Sequence, residues 1–215
     1  MRSKRMSSAE RETQIVEEAI RFFSEVGFSG KTRELSRRLG ISQPLLYRYF
    51  SSKQALIDRV YDHVFLGRWD PAWVSLIRDA SRPLRDRLVE FYRQYAVAVY
   101  RPDWVRIYIL AGLADTGLNK RYLEFVSREL LNSICLELRL HCGEDKRTFD
   151  VTPEEMEFVW SLHGGMFYYA VRHFIFGVKV DVDFLENTAL MVDNFLLGVK
   201  NTLPTLLDNA AGARR

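Results

Sequence analysis

One periodicity runs through nearly all of this sequence and bounds what it can fold into. Apolar residues recur every three or four positions, and no segment alternates convincingly at a period of two. Ile15, Ala19, Phe22, Phe23 and Val26 trace a single stripe along a first helix with charge on its other faces, and Gly27 is placed to stop it. Longer helical patterns follow over 73–80, 84–100, 103–115, 119–141, 153–176 and 182–207, with Pro83, Pro102, Pro153 and Gly177 at their boundaries. The expected fold class is therefore all-α, with a small N-terminal bundle and a larger C-terminal one.

At 215 residues the chain can bury a substantial core, and 47% hydrophobic against 27% charged residues argues against disorder. The charge is uneven. Residues 1–60 hold 12 Lys and Arg against 7 Asp and Glu, a net of +5, whereas residues 61–215 hold 19 against 21, a net of −2. A polyanion would be drawn to the first quarter of the chain. The stretch GRWDPAW at 67–73 is a plausible joint, giving an N-terminal domain of residues 1–66 and a C-terminal domain of residues 67–215.

The opening MRSKRMSSAERETQ has cations with no apolar run behind them, unlike a signal peptide. Residues 158–177 approach spanning length but contain His163, Arg172 and His173, which points to a buried helix and no membrane partner. Cys135 and Cys142 lie seven apart in a helical segment, roughly 10 Å at the helical rise, too far for a bridge. Reduced thiols and a cytoplasmic location are expected.

The segment KTRELSRRLGISQPLLYRYFSSK carries the chemistry. Leu35 and Leu39 are one turn apart in a helix that closes at Gly40; a second short helix starts at once, with Ser42 as its N-cap and Pro44 in its first turn. Leu46, Phe50 and Ile41 form its inward face, and polar and aromatic side chains are left outside. Two such helices joined through a glycine have the pattern of a helix-turn-helix, whose second helix enters the major groove of DNA. Arg33 can donate twice to guanine, Gln43 can pair bidentately with adenine, and Pro44 and Leu45 offer apolar surface to a thymine methyl. Lys31, Thr32, Tyr47, Arg48, Tyr49 and Lys53 suit phosphate oxygens, Lys53 at a helix N-terminus that itself favours anions.

Residues 31–57, with the preceding FFSEVGFSG, resemble the DNA-binding domain of the TetR (tetracycline repressor) family of bacterial regulators. The Thr-Arg pair, the leucine before the glycine, Gln-Pro, Leu-Tyr and then Lys with Ala-Leu after it carry the likeness, which covers roughly residues 10–65. The resemblance implies phosphate contacts at Thr32, Tyr47, Tyr49 and Lys53, and base contacts at Arg33, Gln43, Pro44 and Leu45. Tyr49 stands where the family often has histidine, Leu45 where a smaller or hydroxylated residue is frequent, and Lys31 where threonine is common. The family's base preference at Leu45 therefore does not carry over.

The resemblance also implies a homodimer whose variable C-terminal domain binds a small effector that releases DNA. Residues 154–176 are apolar nearly all round, and adjacent glycines at 164 and 165 in mid-helix call for a packing reason. Gly164 and Gly165, with the stripe Phe184, Thr188, Met191, Val192, Phe195 and Val199 on the last helix, are the expected dimer interface, a four-helix bundle; a monomer's own core is the alternative. Trp104 and Tyr108, facing Trp160, His163, Phe167 and Tyr168, are the expected walls of a pocket for an apolar or aromatic ligand.

The four histidines have no metal-site spacing and no catalytic cluster can be assembled, so no metal, cofactor or enzyme activity is expected. The expected function is an operator-binding transcriptional regulator, a repressor by family analogy, released by its ligand through linkage. The alternative is a ligand-independent DNA-binding adaptor governed by a protein partner.

Overall fold

The structure, a computed structural model, describes residues 6–114, 116–144 and 150–212. The helices are α1 (Ser8–Val26), α2 (Thr32–Arg38), α3 (Gln43–Tyr49), α4 (Lys53–Val64), α5 (Ala72–Arg78) and α6 (Leu84–Val99). They continue with α7 (Pro102–Leu113), α8 (Leu118–Val126), α9 (Asn132–His141), α10 (Pro153–Phe174) and α11 (Phe184–Gly212). No strand occurs among the described residues, as the period predicts. No helix among them is long and apolar enough to cross a membrane.

The chain divides into two compact units, residues 1–69 with 102–120, and residues 70–101 with 121–215. The first cut falls close to the joint expected near residue 66. The sequence gives no sign that residues 102–120 return to the first unit, because nothing in a helix's own pattern says which bundle will cover it.

In the first unit, α1 opens with a capping box in which Ser7 and Glu10 each bond the other's backbone N–H, a device typically worth about 1 kcal/mol. Ile15, Ala19, Phe22 and Phe23 are fully buried, whereas Val26, at the stripe's end, is exposed. Helix α7 lies along α1: Arg106 Nε donates to the Ser24 carbonyl at 2.7 Å, and Leu110 approaches Gly27. Trp104 stacks on Tyr108 with ring centres 5.0 Å apart and meets Phe65 at 5.3 Å, while Arg68 and Asp103 pair at 2.7 Å.

In the second unit, α8 runs through one π-helical turn (Ser127–Leu131) into α9, and α10 begins with a second capping box, Thr152 with Glu155, and Pro153 in its first turn. Helix α6 packs on α11, with Arg85 Nε and Nη2 donating to the Asp193 carboxylate at 2.6 and 2.9 Å. Among the described residues, two ion pairs are buried in this unit. Arg139 donates through Nε and Nη2 to both Glu155 oxygens at 2.7 Å, and Arg87 meets Glu137 at 2.8 Å.

The expected dimer interface requires correction. Thr188, Val192 and Val199 have no exposed surface, and Phe195 is buried against Phe158, so this stripe of α11 faces the chain's own bundle. Phe184 sits edge-on to Tyr100 and Tyr169. Met191 explains Gly165: a Cβ added there would lie 2.5 Å from the Met191 methyl. Gly164 meets open space. A periodic stripe identifies an apolar face but not what covers it.

Candidate nucleic-acid interface

The turn between α2 and α3 is fixed by local chemistry. Gly40 adopts φ +63°, which only glycine takes up readily, and the bonds Gly40 N–H to Arg37 C=O and Ile41 N–H to Ser36 C=O close the end of α2 as a Schellman motif. Two residues later Ser42 Oγ accepts the Leu45 N–H at 3.3 Å and starts α3, with Pro44 in its first turn. Leu46 and Phe50 are buried, so α3 is pinned from below and its opposite face is presented outward.

On that face Pro44, Tyr47 and Arg48 are exposed, and Gln43, Leu45 and Tyr49 are partly covered. Thr32 is buried, its hydroxyl accepting from Gln43 Nε2 at 3.0 Å and sharing a hydrogen bond with the Tyr47 hydroxyl at 3.0 Å. This three-residue knot joins α2 to α3 and orients both outer side chains. Gln43 retains its Oε1 and one amide hydrogen, the donor and acceptor that a bidentate contact with adenine requires. Thr32 thus acts here as a brace beneath the surface, with its hydroxyl already committed.

Lys31 and Arg33 are exposed at the start of α2. With Arg37 and Gln43 they border an open cleft of about 670 Å³ between α2 and α3. Arg37 was not among the expected contacts, although its spacing of four from Arg33 put it on the same helical face. Arg38, by contrast, is held at 2.6 Å by Glu25 and lies over the Phe22 ring, tying α2 to α1. Lys53 opens α4, whose cap is Ser52 Oγ accepting from the Ala55 N–H at 3.0 Å.

Of the six expected ligand contacts, two belong to the first unit and four to the second. Trp104 and Tyr108 fill the first unit beside Phe65. In the second unit, the His163 ring lies 5.3 Å from Tyr95, 5.9 Å from Tyr92 and edge-on to Trp160 at 5.3 Å. Burial pushes the His163 pKa down to about 4. Its Nδ1 and the Tyr92 hydroxyl are both buried without a hydrogen-bond partner. Phe167 meets Tyr100, whereas Tyr168 is 55% exposed and stands outside this cluster. Tyr92 had no local signal, since it reads only as a core position of α6.

Residues 15–60 match the family described as bacterial regulatory proteins, tetR family. Over 85 residues the chain is 32% identical to the class A tetracycline repressor protein from transposon 1721 of Escherichia coli, a match covering 36% of this chain and 39% of that protein. The chain thus spans about two-fifths of the length of the curated relatives it matches. A TetR-family transcriptional regulator from Streptomyces coelicolor superposes with a TM-score of 0.60 at 18% identity, over 97% of this chain and 87% of that one. A TetR-like transcriptional regulator from Rhodococcus superposes at 0.59 and 19% identity, over 90% and 100%. These two likenesses concern the fold. Residues 15–60 thus carry the tetR-family N-terminal domain, set in a helical fold that the chain shares with solved structures of TetR-family regulators.

Proposed function

We propose that the protein is a sequence-specific DNA-binding regulator that acts as a homodimer and represses transcription until a small apolar or aromatic effector lowers its affinity for the operator. The observation that carries this is the outer face of α3, where Gln43 and Tyr47 are held by the buried Thr32 hydroxyl beside exposed Lys31, Arg33 and Arg48. Arg33 and Gln43 read base edges, Pro44 and Leu45 touch a thymine methyl, and Lys31, Tyr47, Arg48, Tyr49 and Lys53 anchor phosphates. Thr32 serves by orienting its two neighbours.

A dimer gives two such helices, about 34 Å apart, for successive major grooves. The surface that supports dimerisation is the outer side of α10 and α11. Leu190 and Leu197 are 65% and 68% exposed and two turns apart, and Tyr168 and the open Gly164 lie on the exposed face of α10. The effector reading is supported in the second unit by the aromatic cluster of Tyr92, Tyr95, Trp160 and His163, with its two unpartnered polar atoms. Such atoms cost free energy unless a ligand or water meets them.

Selection from a random duplex pool tests the reading. A two-fold symmetric site should emerge, and Leu197→Asp, exposed and harmless to the fold, should yield a monomer that no longer enriches it. Equal, weak retention of every fragment at physiological salt overturns the proposal.

A further inference from the structure

A short hydrogen-bond chain at the α2–α3 surface has two possible directions, and the direction decides what α3 can read. Gln43 Nε2 donates to Thr32 Oγ1 at 3.0 Å, and Thr32 Oγ1 lies 3.0 Å from the Tyr47 hydroxyl, where either oxygen can donate. Thr32 is buried at the centre of this chain, with 7% of its surface exposed, whereas Tyr47 at its end is 39% exposed. The Thr32 hydroxyl has a single hydrogen, which goes to Tyr47 or to Gln43 but not to both.

Each direction presents different groups outward. With Gln43 donating to Thr32 and Thr32 donating to Tyr47, the Tyr47 O–H is a free donor, and Gln43 shows its Oε1 and one N–H. Those two groups match the N6–H and N7 of adenine. In the reverse direction Tyr47 donates to Thr32, the Gln43 amide turns over, and Thr32 donates to Oε1. Gln43 then shows two N–H groups, which match the O6 and N7 of guanine, and Tyr47 shows only lone pairs. A phosphate oxygen is an acceptor, so Tyr47 can hold one in the first direction and not in the second.

We propose that Tyr47 is a specificity-determining residue: the phosphate it holds fixes the direction of the chain through Thr32, and that direction makes Gln43 select adenine over guanine. This role rests on the DNA-binding reading above and deepens it, since a phosphate contact alone carries no sequence information. Burial of Thr32 supplies the link. A buried hydroxyl costs free energy when its hydrogen is left unpaired, so loss of the Tyr47 acceptor turns that hydrogen towards Gln43.

The test is binding of the full chain to the operator selected from a random pool, and to versions carrying each base at the position where Gln43→Ala loses preference. The parent should prefer adenine there. Tyr47→Phe keeps the ring and removes the acceptor; it should lower the adenine-to-guanine affinity ratio by about tenfold and leave the order of bases at other positions as in the parent. Thr32→Val should lower the same ratio, and Thr32→Ser, which keeps the hydroxyl, should restore it. Tyr47→Phe alters only a surface group, so it stays decisive should Thr32→Val fail to fold. The proposal is overturned if Tyr47→Phe weakens every duplex by one factor, or if a folded Thr32→Val keeps the parent's ratio. It is overturned equally if the parent selects guanine at that position, or if Gln43→Ala changes preference nowhere. Those outcomes leave a selected operator, and with it the DNA-binding reading, in place; equal retention of every fragment overturns both.

Discussion

The two units treat polar groups in opposite ways. Among the described residues, the buried polar side chains of the first unit are Ser24, Thr32 and Ser36, all uncharged and all hydrogen-bonded, and its charges lie at or near the surface. The second unit buries Arg87, Glu137, Arg139, Glu155 and His163. Buried charge is costly unless paired, so the second unit depends on exact partners, whereas the first can lose an outer charge without loss of stability. A polar group's depth therefore separates what holds the chain together from what is free to meet another molecule.

The sharpest way to break this contrast is at the Arg139–Glu155 pair, where neither side chain is accessible to any useful degree. Arg139→Met should destabilise by about 3 to 5 kcal/mol in chemical denaturation, because the Glu155 charge is left buried without its cation, with the Thr152 N–H still donating to it. The double variant Arg139→Met with Glu155→Gln should recover much of that loss. If the single variant unfolds like the parent, the second unit's ion pairs are not structural.

The first unit should answer oppositely. Arg33→Ala should leave the denaturation midpoint unmoved yet cost about 1 to 3 kcal/mol on the selected operator, with relaxed preference at one base position in a binding titration across point-substituted sites. A matching loss of stability would mean that the outer face of α2 is part of the frame.

What could be read from the sequence follows the same division. The turn at Gly40, the Ser42 cap and the buried Leu46 and Phe50 were legible because each depends on residues within one turn. The first stripe was legible too, except at Val26, where the helix end leaves the core. The α11 stripe was correctly seen as apolar and assigned to the wrong neighbour, since Val192 and Val199 face α11's own bundle and the exposed Leu190 and Leu197 were passed over. The attachment of α7 to α1 rests on Arg106 reaching a carbonyl 82 positions away, and the His163 cluster on Tyr92, 71 positions earlier; helical periodicity holds no information at such separations.

Protonation probes the second unit more gently. His163 has its pKa lowered by burial to about 4, against the ordinary 6.5. Between those values the unfolded chain binds the proton more readily than the folded one, so this residue's contribution to stability is full above pH 6.5 and is lost as pH falls towards 4. From pH 7 to pH 5.5 the parent should lose about 1 kcal/mol more than His163→Gln, measured as the difference between their denaturation curves. Parallel losses would mean that the ring is not held neutral in the interior.

The smallest effect belongs to Lys53. A cation in the first turn of α4 opposes the helix dipole slightly, so Lys53→Ala should leave the first unit as stable as before or marginally more so. Its proposed contact is with phosphate, and a phosphate contact carries no sequence information. The variant should therefore weaken binding to the selected operator and to unrelated duplexes by the same factor, below about 1 kcal/mol at moderate salt. The logarithmic dependence of affinity on salt should become shallower by about 0.9. Arg33→Ala and Lys53→Ala then differ in kind: one reorders the sequences, the other lowers all of them together. If Lys53→Ala instead changes which base is preferred, the start of α4 is a reader, and exposure at this interface does not separate anchors from readers.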